Sequence, residues 1–119
     1  MKVHPNEIII YYHRNSNMDK KTVAYAQSIT RHVRSMPFDG SPATTTMWRS
    51  IIMKLGLHPK EMLNKAHPYY QENIRGREFE DEDWLNVLAR NPSLFKAAIA
   101  MKGKQAILCT NPTDVYRLA

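Results

Sequence analysis

A short apolar run followed at once by a helical pattern constrains the fold of this chain most. Glu7 to Tyr12 is rich in β-branched and aromatic residues, which predicts a strand buried on both faces of a sheet. After a polar break, Asp19 to Arg34 repeats apolar residues at three- and four-residue steps, which predicts an amphipathic helix capped by Ser16 or Asn17. A second strand is predicted over Val33 to Phe38. Two strands joined by a helix should be parallel, with a right-handed crossover.

The rest of the chain predicts several helices, a hairpin and a last helix. Thr45 to Leu55 carries a helical stripe that ends at Gly56, and Glu80 to Arg90 opens with four acids, which suits a helix N-terminus. Prolines predict further helix starts at His58-Pro59, His67-Pro68 and Asn111-Pro112. Ala98 to Met101 and Gln105 to Cys109 predict an antiparallel hairpin. The expected fold is α/β, a mixed four-stranded sheet with flanking helices and a helical insertion between its two halves, in one domain over residues 1–119.

Composition limits the classes of function. With 119 residues and 43% hydrophobic residues, the chain can bury a core. No apolar run approaches a membrane span, and the first residues show no secretory signal, so we expect a cytoplasmic protein that does not enter membranes. The formal net charge of +6 is spread along the chain, which argues against nucleic-acid binding, the third hypothesis.

The cysteine and histidine content argues against metal and disulfide chemistry. Cys109 is the single cysteine, so no intramolecular disulfide and no multi-thiolate zinc site can form. Its position at the end of a predicted core strand favours a small buried hydrophobe over a reactive thiol. The five histidines have no helical ligand spacing, and we expect no metal and no cofactor.

The order of these segments resembles the arsenate reductase family, which has a thioredoxin-like fold. The resemblance is carried by Ile8 to Tyr11, by Met62 to Lys65 with Pro68-Tyr69, by Trp84 to Lys96, by Ala98 to Ala100, by Gly103 to Cys109 and by Asn111-Pro112. It covers nearly the whole chain, and a related branch contains stress regulators that bind RNA polymerase. The resemblance implies that the expected sheet and helices form a thioredoxin-like domain.

The resemblance also implies that the residues of the family's chemistry are absent. The family uses a cysteine in the loop after its first strand, and the matching position here is Ser16. Its three arginines fall at Asn64, Ala97 and Thr110, and the proline after its second arginine falls at Ala98. A cis peptide bond before alanine would cost about 2.5–4 kcal/mol, so we expect a trans bond there. A serine hydroxyl forms no disulfide, and its proton is hard to remove without an adjacent base.

These substitutions lead to two main hypotheses for function. The first is a pseudoenzyme that acts as a binding or regulatory module for a protein or a small anion. The anion would lie at the first strand–helix loop, near Arg14, Asn15, Ser16, Asn17, Lys20 and Lys21. The second is an oxidoreductase linked to glutathione or glutaredoxin that uses Cys109 with an external thiol. A Ser16–His13 catalytic pair has no evident third, orienting carboxylate.

Overall fold

The computed structural model describes residues 6–40 and 44–119, so Ser41 and Pro42 of the predicted turn lie outside the described residues. The described residues form two compact units, one from 6–40 with 97–119 and the other from 44–96. That the whole chain behaves as one domain stays a prediction.

A four-stranded mixed sheet forms the first unit and confirms the predicted fold class. The strands are β1 (Ile8–Tyr12), β2 (Val33–Pro37), β3 (Ala98–Lys102) and β4 (Gln105–Cys109), in the spatial order β2-β1-β3-β4. β1 and β2 are parallel, with Ile8 opposite Val33, while β3 runs antiparallel to both β1 and β4. The mixed pairing follows from the connections, a helical crossover between β1 and β2 and a tight hairpin between β3 and β4.

Two helices pack with the sheet around one apolar core. They are α1 (Asn17–Ile29) and a C-terminal 3₁₀ helix (Pro112–Leu118). The buried cluster comprises Ile8, Ile10, Ala26, Ala98, Ala100, Cys109, Val115 and Leu118. Because alternate residues of a strand point to one face, Ile8 and Ile10 lie on the same side of β1. The core therefore joins β1 to the second half of α1 and to the C-terminal 3₁₀ helix.

One predicted boundary is wrong, because α1 ends at Ile29 and not at Arg34. Thr30 is extended, with φ −149° and ψ 154°, and its N–H closes the helix on the carbonyl of Ala26. Val33 continues the helical spacing in sequence, but it pairs with Ile8 as the first residue of β2. Strand pairing therefore outweighs the local helical pattern, as tertiary context often does.

The second unit contains the helical insertion, which lies between β2 and β3 along the chain. Its helices are α2 (Thr45–Leu55), α3 (Pro59–Met62), α4 (Pro68–Asn73) and α5 (Asp81–Arg90), followed by a 3₁₀ turn (Pro92–Leu94). α2 packs against α5, and the rings of Trp48 and Phe95 lie 4.7 Å apart. Both tryptophans, Trp48 and Trp84, are buried, as their helical spacing predicted.

The helix ends in this unit follow from residue type. Gly56 ends α2 in the left-handed conformation, with φ 66°, which glycine adopts without steric cost. His58 and His67 each precede a proline, and the Nδ1 atom of each ring accepts a backbone N–H, from Lys60 and Tyr69 respectively, at 3.1 Å. These two histidines are therefore helix caps. None of the helices in residues 6–40 and 44–119 combines the length and the apolar character needed to cross a membrane.

Candidate functional site

The loop between β1 and α1, residues 13–16, is where the resemblance locates the chemistry of the arsenate reductase family. Ser16 is the N-cap of α1, and its Oγ accepts the N–H of Asp19 at 3.1 Å. The N–H of Ser16 in turn donates to the carbonyl of His13 at 3.0 Å. The Ser16 hydroxyl therefore caps the helix N-terminus, a role for which serine is a preferred residue.

A buried carboxylate also binds the backbone of this loop. Asp19 is 5% exposed, and its Oδ2 accepts the N–H of His13 at 2.8 Å. The sequence placed Asp19 only in the first turn of the helix, where negative charge is favourable. Its second role depends on the path of the backbone at His13, which no local pattern reveals. The carboxylate adds negative charge beneath the loop, so an anion would have to bind on the solvent side.

The predicted ligand-binding residues stay on the surface around this loop. Asn15, Asn17, Lys20 and Lys21 are exposed, and Ser16 is partly buried. Arg14 is exposed too, and its Nε donates to Oδ1 of Asp39 at 2.9 Å. The two lysines are the cations nearest in sequence to the loop that form no ion pair within the described part of the chain. An anion drawn to this loop would therefore have Lys20 and Lys21 as its available positive charges.

The histidine of the loop, His13, packs against a buried aromatic ring. The ring of His13 lies 4.7 Å from the ring of Phe38, at an angle of 44°. Ser16 meanwhile directs its Oγ to the backbone of Asp19. The Ser16 hydroxyl is thus used as a hydrogen-bond acceptor that caps the helix. This arrangement does not support a catalytic pair in which His13 activates Ser16 as a nucleophile.

The single thiol of the chain lies inside the core. Cys109 is the last residue of β4, pairs with Ala98 and is 2% exposed. Burial, together with the negative charge of Asp114, raises the pKa of the thiol to about 12. Since the thiolate is the nucleophile, this environment keeps Cys109 in its unreactive form at neutral pH.

The three positions where the resemblance implies the family's arginines carry no positive charge. Ala97 is buried just before β3, and Thr110 follows β4, where its Oγ1 donates to Oδ2 of Asp114 at 3.3 Å. In the inserted unit, Oδ1 of Asn64 accepts the N–H of Ala66 at 3.0 Å. The bond before Ala98 is trans, as expected, since the described residues contain no cis peptide bond. No group of three metal-ligating side chains occurs among the residues that the structure describes.

Comparison with known proteins gives a match in structure only. No family model and no curated protein matches the sequence. An arsenate reductase from Vibrio cholerae superposes with a TM-score of 0.84 at 19% identity, covering 95% of this chain and 98% of that one. A Yersinia pestis protein described as a candidate arsenate reductase gives a TM-score of 0.79 at 16% identity, covering 93% and 99%.

This chain has the arsenate reductase fold. A Bacteroides fragilis protein related to the ArsC family extends the match, with a TM-score of 0.77 at 15% identity and coverage of 95% and 99%. The match spans nearly the full length of each arsenate reductase-like chain, so it includes the helical insertion as well as the sheet. The expectation of a thioredoxin-like architecture is therefore confirmed.

Proposed function

We propose that this chain is a cytoplasmic relative of the arsenate reductases that no longer reduces arsenate and acts instead as a binding module. One observation carries the proposal. The hydroxyl of Ser16 lies at the start of α1, where the resemblance to the family implies a cysteine thiol. Its oxygen accepts a hydrogen bond from the N–H of Asp19. Transfer of electrons from a thiol to arsenate requires a sulfur that becomes oxidised, and an alcohol cannot take that part.

The uncharged residues at the three positions where the resemblance implies arginines support the same proposal. Asn64, Ala97 and Thr110 offer no guanidinium to hold a tetrahedral oxyanion by paired hydrogen bonds. Losing the cations and the thiol together removes both binding of the substrate anion and the redox step. A single reversion at Ser16 would therefore restore only one of the two requirements.

The proposed ligand of the loop is a small oxyanion held more weakly than a substrate. The N-terminal amides of α1 carry partial positive charge, and Lys20 and Lys21 are exposed next to them. Asn15 and Asn17 add amide groups at the same turn, and Arg14 adds charge that it shares with Asp39. The buried charge of Asp19 opposes the anion, so we propose affinity in the millimolar range, about −4 kcal/mol.

An NMR titration tests the anion proposal. Phosphate and arsenate are added separately to ¹⁵N-labelled protein at constant ionic strength. The amide signals of residues 14–18 should shift, and Lys20→Gln with Lys21→Gln should weaken binding several-fold. Lys104→Gln, an exposed lysine in the hairpin turn, is the matched control. Absence of any shift, or equal effects of the test and control variants, would overturn the anion site.

Thiol labelling separates the module from an oxidoreductase that uses Cys109. The folded protein is mixed with iodoacetamide or with glutathione disulfide at pH 7.5 and then weighed by mass spectrometry. We expect no adduct until the protein is unfolded, because the thiol is buried and its pKa is raised. A rapid adduct on the folded protein would favour the oxidoreductase.

A further inference from the structure

A groove in the 44–96 unit has the volume and the lining of a binding site. Its volume is about 410 Å³, within the range of about 300–1,000 Å³ typical of ligand sites. The groove is lined by α2, by the turn that follows α2 and by the first half of α5. Its apolar lining comprises Ile52, Met53, Leu57, Pro59, Trp84 and Leu85.

The floor of this groove is fixed, whereas its rim is adaptable. Trp84 and Leu85 are 2% and 4% exposed, and the Trp84 ring packs edge to face against Phe79 at 4.9 Å and His58 at 5.9 Å. Met53, by contrast, is 76% exposed at the rim. Methionine side chains are flexible and polarizable, and they are common on surfaces that accept an apolar side chain from a partner. An exposed methionine beside an apolar floor therefore suits an apolar anchor residue.

The charge next to the groove is opposite to that of the chain as a whole. The formal net charge is +6, yet five of the eleven acids lie between residues 78 and 83: Glu78, Glu80, Asp81, Glu82 and Asp83. Asp81 lines the groove and forms no ion pair within the described residues. Glu82 pairs with Arg49, which neutralises the one arginine of the lining. The rim therefore presents free negative charge through Asp81.

We propose that this groove binds a basic amphipathic peptide segment of a protein partner. An apolar side chain of the peptide enters between Met53 and Trp84, and a lysine or arginine next to it on the same face pairs with Asp81. Helical peptides commonly bind grooves in this way, with anchors spaced three or four residues apart. The charge pattern favours a cationic partner, because an acid of the peptide at this place would meet the carboxylate of Asp81. The proposal goes beyond the anion loop and does not depend on it.

A designed peptide tests the groove with the protein as it is. The probe is a fluorescein-labelled 14-residue peptide with leucine at three- and four-residue steps and lysine elsewhere. Anisotropy gives the Kd, and the ¹⁵N-indole signal of Trp84 reports contact with the floor. We expect saturable binding that shifts the Trp84 signal and leaves that of Trp48, which is not in the lining, in place.

Surface variants decide whether binding occurs in the groove. Met53→Ser and Asp81→Asn should each raise the Kd at least fivefold, and circular dichroism checks that both variants are folded. The matched controls are Met18→Ser, on α1, and Glu72→Gln, on α4, both exposed and outside the lining. Failure of the basic peptide to bind, or binding insensitive to both test variants, would overturn the proposal. So would concentration-dependent dimerisation abolished by Met53→Ser, because it would assign the groove to a second copy of this chain.

Discussion

The backbone N–H of His13 donates to Oδ2 of Asp19 at 2.8 Å, so the end of β1 is tied to the first turn of α1 by a buried carboxylate. With the Ser16 cap, this bond forms a second link across the same four-residue loop. The loop is thus held by side-chain oxygen atoms of Ser16 and of Asp19 in the first turn of α1.

Removing the Asp19 carboxylate should lower the free energy of unfolding. In Asp19→Ala the partly buried N–H of His13 loses its acceptor, which costs up to about 1–3 kcal/mol. Asp19→Asn keeps an acceptor oxygen and should cost less. Urea unfolding of the three proteins measures this order. Asp39→Ala is the control, because an exposed ion pair contributes only about 0–1 kcal/mol. Equal stability of Asp19→Ala and Asp39→Ala would contradict the structural role of Asp19.

Loss of the Ser16 hydroxyl should destabilise α1. Replacing a serine N-cap by alanine typically costs about 0.5–2 kcal/mol, while aspartate retains an acceptor for the N–H of Asp19. We therefore expect Ser16→Ala to be less stable and Ser16→Asp to be close to the native protein. Thermal unfolding followed by circular dichroism measures both. Ser28→Ala, exposed in the last turn of the same helix, is the matched control; its Oγ donates only to the exposed carbonyl of Tyr25, so its loss should be nearly neutral. A neutral Ser16→Ala would argue against the cap.

Alkaline pH should destabilise the fold through Cys109. Its pKa is 9.0 in an exposed thiol and about 12 in the folded chain, so above pH 9 the unfolded state releases a proton that the folded state keeps. The stabilisation is complete below pH 9 and falls as the pH rises towards 12, by up to about 1.4 kcal/mol for each pH unit.

A difference measurement isolates this effect, because burial also raises the pKa of Tyr11. Urea unfolding of the native protein and of Cys109→Ala is compared at pH 8 and pH 10.5. The stability advantage of the native protein should shrink at the higher pH, since the tyrosine contributes equally to both. A constant difference between the two proteins would show that the thiol is not held neutral by the fold.

Sequence patterns predicted the architecture well where a local rule decides it. The bounds of α2, Thr45–Leu55, and the glycine stop at Gly56 follow from spacing and backbone preference, and the structure confirms both. The end of α1 was missed because Val33 fits the helical stripe and a strand equally well. Only its pairing with Ile8 distinguishes the two, and that contact is tertiary.

The sites were less predictable than the fold, for a related reason. The cap at Ser16 is a property of residue type and was expected, but the bond from His13 to Asp19 depends on how the loop closes. The groove depends on which residues of a helical stripe remain uncovered. Trp48 and Trp84 were assigned to the core correctly, and Met53 falls outside the apolar stripe of α2, but the spacing gives no sign of the groove beside it.

Arsenate turnover tests the central claim most directly. The native protein and Ser16→Cys are assayed with glutathione and glutaredoxin, with the Vibrio cholerae arsenate reductase as the positive control. We predict no reduction by the native protein, which has no exposed thiol, and none by Ser16→Cys, because Asn64, Ala97 and Thr110 supply no cation for the substrate. Turnover by the native protein would contradict this account. Turnover by Ser16→Cys alone would show that the loss of the cysteine, without the loss of the arginines, ended the reaction.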